Sequence, residues 1–97
     1  MFIINLTYLK PLEEVERFLP EHVEYLDRYY ENGHFIASGR QVPRVGGVIL
    51  AKADSKDEIK AIIRHDPFYR EHIARYDITE FVPSKYAKSL KVLVEAE

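Results

Sequence analysis

The sequence of 97 residues contains no cysteine. This absence excludes disulfide bonds, thiolate metal ligands and a cysteine nucleophile. Long apolar runs are also missing, and the longest of them is far too short to cross a bilayer. The amino terminus lacks the basic and then apolar pattern of a signal peptide. We therefore expect a cytoplasmic protein with no membrane segment.

The sequence also lacks an excess of either charge. Fourteen Lys and Arg residues are scattered among sixteen Asp and Glu residues, and the formal net charge is −2. Nucleic-acid-binding proteins usually carry a basic stripe, because phosphate neutralisation supplies most of their affinity. No such stripe is visible in this sequence, so we expect no nucleic-acid partner.

The composition is that of a folded protein, with 46% hydrophobic and 31% charged residues. A chain of this length can form a single hydrophobic core without disulfides. We therefore expect one domain over residues 1–97, with its core in residues 1–82 and a carboxyl-terminal tail in residues 83–97.

Hydrophobic periodicity predicts two main helices and four strands. Alternating or continuous apolar residues indicate the strands, and apolar residues spaced by three or four indicate the helices. Their order, β-α-β-β-α-β, is typical of a ferredoxin-like α+β fold with a four-stranded antiparallel sheet and helices on one face. The predicted strands are Phe2–Tyr8, His34–Ser38, Val48–Ala53 and Ala74–Val82, and the predicted helices are Pro11–Asn32 and Lys56–Arg64, followed by a helical turn from Asp66.

Pro20 is expected to disturb the first helix. Proline lacks an amide proton for the helical hydrogen bond, and it disfavours helical geometry in the residue before it. We therefore expect either a kink at Pro20 or a break into two helices. Gly39 is expected to end the second strand.

The predicted sheet has one face that the helices do not cover. Two helices can cover only one face of a four-stranded sheet, and apolar residues are predicted on the other face as well. Exposed apolar surface of this extent usually marks an interface. A homodimer that pairs sheet against sheet, or a higher oligomer, would bury this face, so we expect self-association.

His22 interrupts the apolar stripe of the first helix. Val15, Leu19, Leu26 and Tyr29 lie on one helix face, and His22 fills the gap in their spacing. An imidazole in a core must be hydrogen-bonded, and it is the side chain best suited to moving protons near neutral pH. From the residues alone, both a structural and a functional histidine remain open.

Asp66 also has a structural interpretation. An aspartate directly before a proline is a good helix N-cap, which accepts hydrogen bonds from the backbone amides of Phe68 or Tyr69. A carboxylate has two oxygens and about four lone-pair sites, so it can cap a helix and still accept from an imidazole. Capping and a functional role are therefore compatible.

Four short motifs carry a resemblance to a known family. They are His22-Val23-Glu24-Tyr25-Leu26, Ser38-Gly39, Gly46-Gly47-Val48 and Asp66-Pro67-Phe68. In this order and spacing they resemble the YCII-related (YciI-like) family, from the first strand to Val82. The resemblance implies a dimeric α+β barrel built from ferredoxin-like subunits. It also implies a site in which His22 and Asp66 form a dyad.

Such a dyad would support general acid–base chemistry. Asp66 would accept from one ring nitrogen of His22 and fix its tautomer, leaving the other nitrogen to face a small-molecule substrate. Isomerisation, elimination or a related proton transfer, as in a lyase or isomerase, fits this arrangement. Two alternatives remain: a dimeric module that binds a small molecule without catalysis, and, as a minor option, a hydrolase that uses Ser38.

Further candidates concern the binding of a small, anionic or aromatic substrate. Arg40 and Arg44 flank the loop after the second strand and could hold a carboxylate or phenolate. Gly39, next to Ser38, would allow close approach of a ligand. The aromatic residues expected to wall the pocket are Tyr8, Tyr25 and Phe68. The four histidines lack metal-binding spacing and the glycines match no nucleotide-binding motif, so we expect no metal or cofactor.

Overall fold

The computed structural model describes residues 1–95 of the chain. Its elements follow the predicted order β-α-β-β-α-β through the first eighty residues. The strands are β1 (Phe2–Tyr8), β2 (Phe35–Arg40), β3 (Gly46–Ala51) and β4 (Ala74–Glu80). The helices are α1 (Leu12–Glu31), α2 (Lys56–Ile63), α3 (Pro67–Arg70) and α4 (Lys91–Glu95), the last preceded by a 3₁₀ turn at Lys88–Leu90.

The four strands form one antiparallel sheet in the order β2-β3-β1-β4. Strand β1 lies in the centre, where Phe2 pairs with Ala51 of β3 on one side and with Glu80 of β4 on the other. The two outer strands, β2 and β4, are therefore not consecutive in the chain. Helix α1 connects β1 to β2, and helices α2 and α3 connect β3 to β4. This arrangement confirms the predicted ferredoxin-like α+β fold.

The core lies between the sheet and the helices. Alternate residues of β1 face the helices, and Phe2, Ile4 and Leu6 are buried. Helix α1 contributes Val15 and Tyr25 to the same layer. Helix α2 adds three buried isoleucines, Ile59, Ile62 and Ile63. Each such side chain contributes roughly 2 kcal/mol through removal of apolar surface from water.

Pro20 does not break the first helix, so of the two predicted outcomes, a kink or a break, the break is wrong. Helix α1 runs without interruption over 20 residues. Buried residues lie on both sides of the proline, with Val15 before it and His22 and Tyr25 after it. Because both halves pack against the same core, tertiary contacts outweigh the local cost of proline, which is about 3 kcal/mol.

Strand β2 extends further than predicted, because Gly39 continues the strand instead of ending it. Gly39 pairs with Val48 of β3, and Arg40 pairs with Gly47. These pairings satisfy backbone hydrogen bonds that a loop would leave to water. The register shifts between Phe35 and Ala37, so the strand contains an irregularity near its start. Residues 38–40 are consequently held by a sheet.

The face of the sheet opposite the helices is partly apolar. Ile3 of β1 and Val48 of β3 are each 37% exposed on this face. Arg75 and Asp77 of β4 are exposed there as well, so apolar and charged residues share the surface. Homodimerisation through this face stays a prediction. Within residues 1–95, no helix combines the length and the apolar character that a membrane span requires.

Gly46 provides a test of the contact between β1 and β3. A Cβ atom at this position would lie 1.8 Å from the carbonyl oxygen of Leu6. Since backbone cannot move aside cheaply, Gly46→Ala should lower the free energy of unfolding by at least about 3 kcal/mol, measured by urea denaturation.

Gly39→Ala is the matched control for this substitution. Gly39 lies in the neighbouring strand, and a Cβ atom there would meet nothing within 4 Å. This variant should change the free energy of unfolding by less than about 1 kcal/mol. Equal losses in the two variants would contradict the close approach of the two strands as the cause.

Candidate active site

His22 lies on the core-facing side of α1 and is 8% exposed. Its ring stacks on the ring of Phe68, with centroids 4.0 Å apart and planes within 2° of parallel. Phe68 belongs to α3, which packs against α1. Its ring meets that of Tyr8 of β1 edge to face, with the ring centroids 6.3 Å apart. The imidazole is thus oriented by packing on Phe68, whose own ring is held by Tyr8.

Asp66 is the N-cap of α3, as predicted from the proline that follows it. Its Oδ1 accepts a hydrogen bond from the backbone N–H of Phe68 at 2.9 Å. The carboxylate is completely buried. Pro67 at the first helical position has no amide proton to satisfy, which suits a short helix beginning in the core.

The same carboxylate contacts His22. The distance from His22 Nδ1 to Asp66 Oδ1 is 2.8 Å. An ionised carboxylate can only accept, so Nδ1 must carry the proton in this contact. The remaining ring nitrogen, Nε2, is the one available to a ligand. The structure therefore brings together the two side chains that the family resemblance pairs.

Tyr76 of β4 is a third side chain on Asp66, and sequence reasoning missed it. Its hydroxyl donates a hydrogen bond to Oδ2 at 2.5 Å. Burial, followed by the negative charge of Asp66, raises the pKa of Tyr76 far above that of an ordinary tyrosine. The hydroxyl therefore stays protonated and serves as the donor. The alternation of β4 marks Tyr76 as inward-facing but does not indicate which group its hydroxyl reaches.

A cavity of about 520 Å³ opens beside His22, between α1 and the sheet. Its apolar walls include Leu19, Leu26 and Ile49. It has the size and mainly apolar lining of a small-molecule site. The predicted binding residues that line it are Tyr8, Ser38, Gly39, Arg40, Arg44 and Phe68.

Tyr25 is the one predicted pocket residue that the structure places outside the cavity lining. It is buried behind His22, and its hydroxyl donates to the carbonyl oxygen of Ile62 at 3.0 Å. Helical spacing explains the difference, because Tyr25 lies three residues beyond His22 and points further into the core. Its pKa is raised, first by burial and then by the charge of Asp66.

The two arginines of the cavity differ in their partners. Arg44 forms an ion pair with Glu16 of α1 at 3.1 Å, and Glu16 also lines the cavity. Arg40 forms no salt bridge with a carboxylate of residues 1–95. Arg40 is therefore the guanidinium whose charge is available to an anionic ligand.

Ser38 is engaged by a residue of α1. Its Oγ lies 2.5 Å from the hydroxyl oxygen of Tyr30. Among residues 1–95, the hydrogen bonds of His22 do not include Ser38. The serine and the histidine line one cavity without forming the nucleophile–base contact that hydrolysis would use.

Metal-ligating residues are dispersed over the fold. Among residues 1–95, no three His, Cys, Asp or Glu side chains are grouped so that they could hold a metal ion. His34 instead contacts Asn32 Oδ1 at 2.8 Å and Glu58 Oε2 at 3.2 Å, at the opposite end of β2 from Arg40.

Comparison with known proteins agrees with this fold. The model of the YCII-related domain matches residues 1–82. The chain belongs to the YCII-related domain family. No curated protein is significantly similar to it in sequence.

Solved structures of the same fold include a dehydrochlorinase. This YCII-related chain is similar to 5-chloro-2-hydroxyhydroquinone dehydrochlorinase from Burkholderia phenoliruptrix AC1100, solved in complex with 2,5-dihydroxybenzoquinone. The TM-score is 0.71 at 17% sequence identity, and the alignment covers 92% of this chain and 98% of the other. At this level of identity the similarity establishes a shared fold.

Replacement of Asp66 tests how much the buried carboxylate supports the structure. Asp66→Ala leaves three donors around the buried carboxylate without their acceptor, on His22, Phe68 and Tyr76. We expect the free energy of unfolding to fall by about 3 kcal/mol, measured by chemical denaturation.

Asp77→Ala is the control on the exposed face of the sheet. The Asp77 side chain is 59% exposed and pairs with Arg75 at 3.2 Å. Its loss should change the free energy of unfolding by less than about 0.5 kcal/mol. A loss in Asp66→Ala no larger than this would show that the carboxylate is not a structural centre.

Proposed function

We propose that this protein is a small enzyme in which His22 moves a proton to or from a small, planar, anionic substrate. Asp66 orients the imidazole, and the reaction is an elimination, an isomerisation or a related proton transfer. The observation that carries the proposal is the His22–Asp66 contact of 2.8 Å on the wall of the cavity. A histidine held in this way is a typical general base.

The direction of proton transfer follows from the tautomer. Because Nδ1–H donates to Asp66, the lone pair of Nε2 is free to take a proton from a substrate carbon or oxygen. The imidazolium that forms keeps its contact with the carboxylate, which stabilises the new positive charge. In an elimination, the electrons of the broken C–H bond form a double bond and expel the leaving group with its own electron pair.

The substrate class follows from the walls of the cavity. Phe68 and aliphatic side chains offer flat apolar surface, which suits a ring. Arg40 offers a guanidinium that forms no ion pair within residues 1–95, and its fork matches the oxygens of a carboxylate or phenolate. The dehydrochlorinase of the same fold acts, by its name, on a chlorinated hydroxyhydroquinone. A hydroxylated ring compound is therefore the first substrate to try.

Hydrolysis through Ser38 receives less support. The serine hydroxyl is held by Tyr30 at 2.5 Å, and activation by His22 would require it to leave that partner. A module that binds without catalysis requires the same cavity and the same arginine. Removal of His22 would abolish turnover in an enzyme and would only weaken ligand binding in such a module, so kinetic measurements distinguish the two.

Removal of the imidazole tests the catalytic proposal. With 5-chloro-2-hydroxyhydroquinone as the probe, His22→Gln should slow chloride release by at least about 100-fold, because a general base typically contributes this much. The affinity for the probe, measured by NMR titration, should change little. The exposed histidine variant His65→Gln serves as the control and should release chloride at the wild-type rate.

Two outcomes would count against catalysis by His22. Chloride release at the wild-type rate in His22→Gln would remove its role as the base. If the wild-type protein binds the probe but neither releases chloride nor exchanges the ring protons of the probe in D₂O, the non-catalytic module is favoured.

Replacement of Arg40 tests recognition of the anion. Arg40→Ala should weaken binding of the same probe by about 10- to 100-fold, because a hydrogen bond to a charged group contributes about 1.5–3 kcal/mol. Arg17→Ala is the control, since Arg17 is an exposed residue of α1 that pairs with Glu14. Similar affinities for the two variants would show that Arg40 does not hold the anion.

A further inference from the structure

Asp66 has two oxygens, and the contacts with them are unequal. Oδ1 accepts from both His22 Nδ1 and the N–H of Phe68, at 2.8 and 2.9 Å. Oδ2 faces Tyr76, whose hydroxyl lies 2.5 Å away. The carboxylate is fully buried, so water does not reach Oδ2. Among residues 1–95, only the Tyr76 hydroxyl donates to this oxygen, and its loss would leave Oδ2 without a donor.

The fold holds Tyr76 in this position. It lies on β4 opposite Leu6 of β1, on the face that packs against the helices. Tyr69 of α3 contacts its ring edge to face, with centroids 5.7 Å apart and planes at 75°. The ring is thus held by the sheet and by the helix that Asp66 caps, and its hydroxyl has little freedom to turn away.

We propose that Tyr76 is a positioning residue of this site: its hydroxyl holds the second oxygen of Asp66 and limits how strongly the carboxylate draws on the His22 proton. The inference deepens the proposed function and rests on the His22–Asp66 pair described above. Tyr76 does not line the cavity, so it acts on the reaction through Asp66.

The physical reason is competition between donors on one anion. Each donor stabilises part of the carboxylate charge, so a second strong donor weakens the attraction for the first. Tyr76 remains a donor because burial and the charge of Asp66 raise its pKa. With the hydroxyl present, the proton stays with Nδ1, and the imidazole keeps one defined tautomer with Nε2 free.

Tyr76→Phe isolates this effect. The ring, its packing on Tyr69 and the hydrogen bond from the Phe68 N–H to Asp66 all remain, and only the hydroxyl is lost. Without it, Oδ1 becomes the stronger acceptor, and the His22 Nδ1–H proton should move to lower field in the NMR spectrum of histidine-labelled protein. Tyr25→Phe is the matched control, because it also removes a buried hydroxyl, one that donates to the carbonyl of Ile62.

The two variants should lose similar stability, so stability does not separate the roles. A low-field shift in Tyr76→Phe but not in Tyr25→Phe supports the proposal. An unchanged resonance in Tyr76→Phe, or an equal shift in both variants, overturns it and assigns Tyr76 to packing.

Asp66→Asn separates this proposal from the proposed function. If the wild-type Nδ1–H resonance depends on the carboxylate, Asp66→Asn removes or shifts it whatever happens in Tyr76→Phe. An unchanged resonance in Asp66→Asn means that the His22–Asp66 pair itself does not form, and both proposals then fail. A change in Asp66→Asn with none in Tyr76→Phe overturns only the role of Tyr76.

Discussion

Burial of the Asp66 carboxylate is the constraint on which the rest of the site depends. A charge without solvent is costly unless donors surround it, and here three elements supply one donor each. Helix α1 provides His22, α3 provides the amide of Phe68, and β4 provides Tyr76. Satisfying this single anion therefore sets how helices and sheet meet at one end of the core, and it orients the imidazole as a result.

Much of the fold follows from local pattern. The alternation in β1 and the helical spacing around Val15 predicted their elements because each buries one face. The break considered at Pro20 and the strand end predicted at Gly39 were wrong, because the preferences of these residues are local. Helix packing and strand pairing depend on tertiary contacts instead. In both places the tertiary contacts outweigh the local preference: residues on both sides of Pro20 are buried together, and Gly39 is paired with Val48.

The site was predictable in part. A histidine in an apolar stripe and an aspartate before a proline are visible in sequence, and the family resemblance links them. Tyr76 was not predictable, because alternation shows only that it faces inward and leaves the partner of its hydroxyl open. The position of Tyr25 was missed for a related reason: one step around a helix separates a cavity wall from the interior, and sequence spacing does not resolve that step.

The ion pair between Arg44 and Glu16 joins two walls of the cavity, the β2–β3 loop and helix α1. Both side chains remain in contact with solvent, so added salt, whose screening length shortens from about 10 Å at 0.1 M to about 3 Å at 1 M, weakens their attraction. The loop is thus fastened to the helix by an interaction that weakens as salt concentration rises, whereas Asp66 is fully buried and salt screens its contacts much less. A rise in salt concentration is therefore expected to loosen this edge of the cavity and to leave the contacts around Asp66 in place.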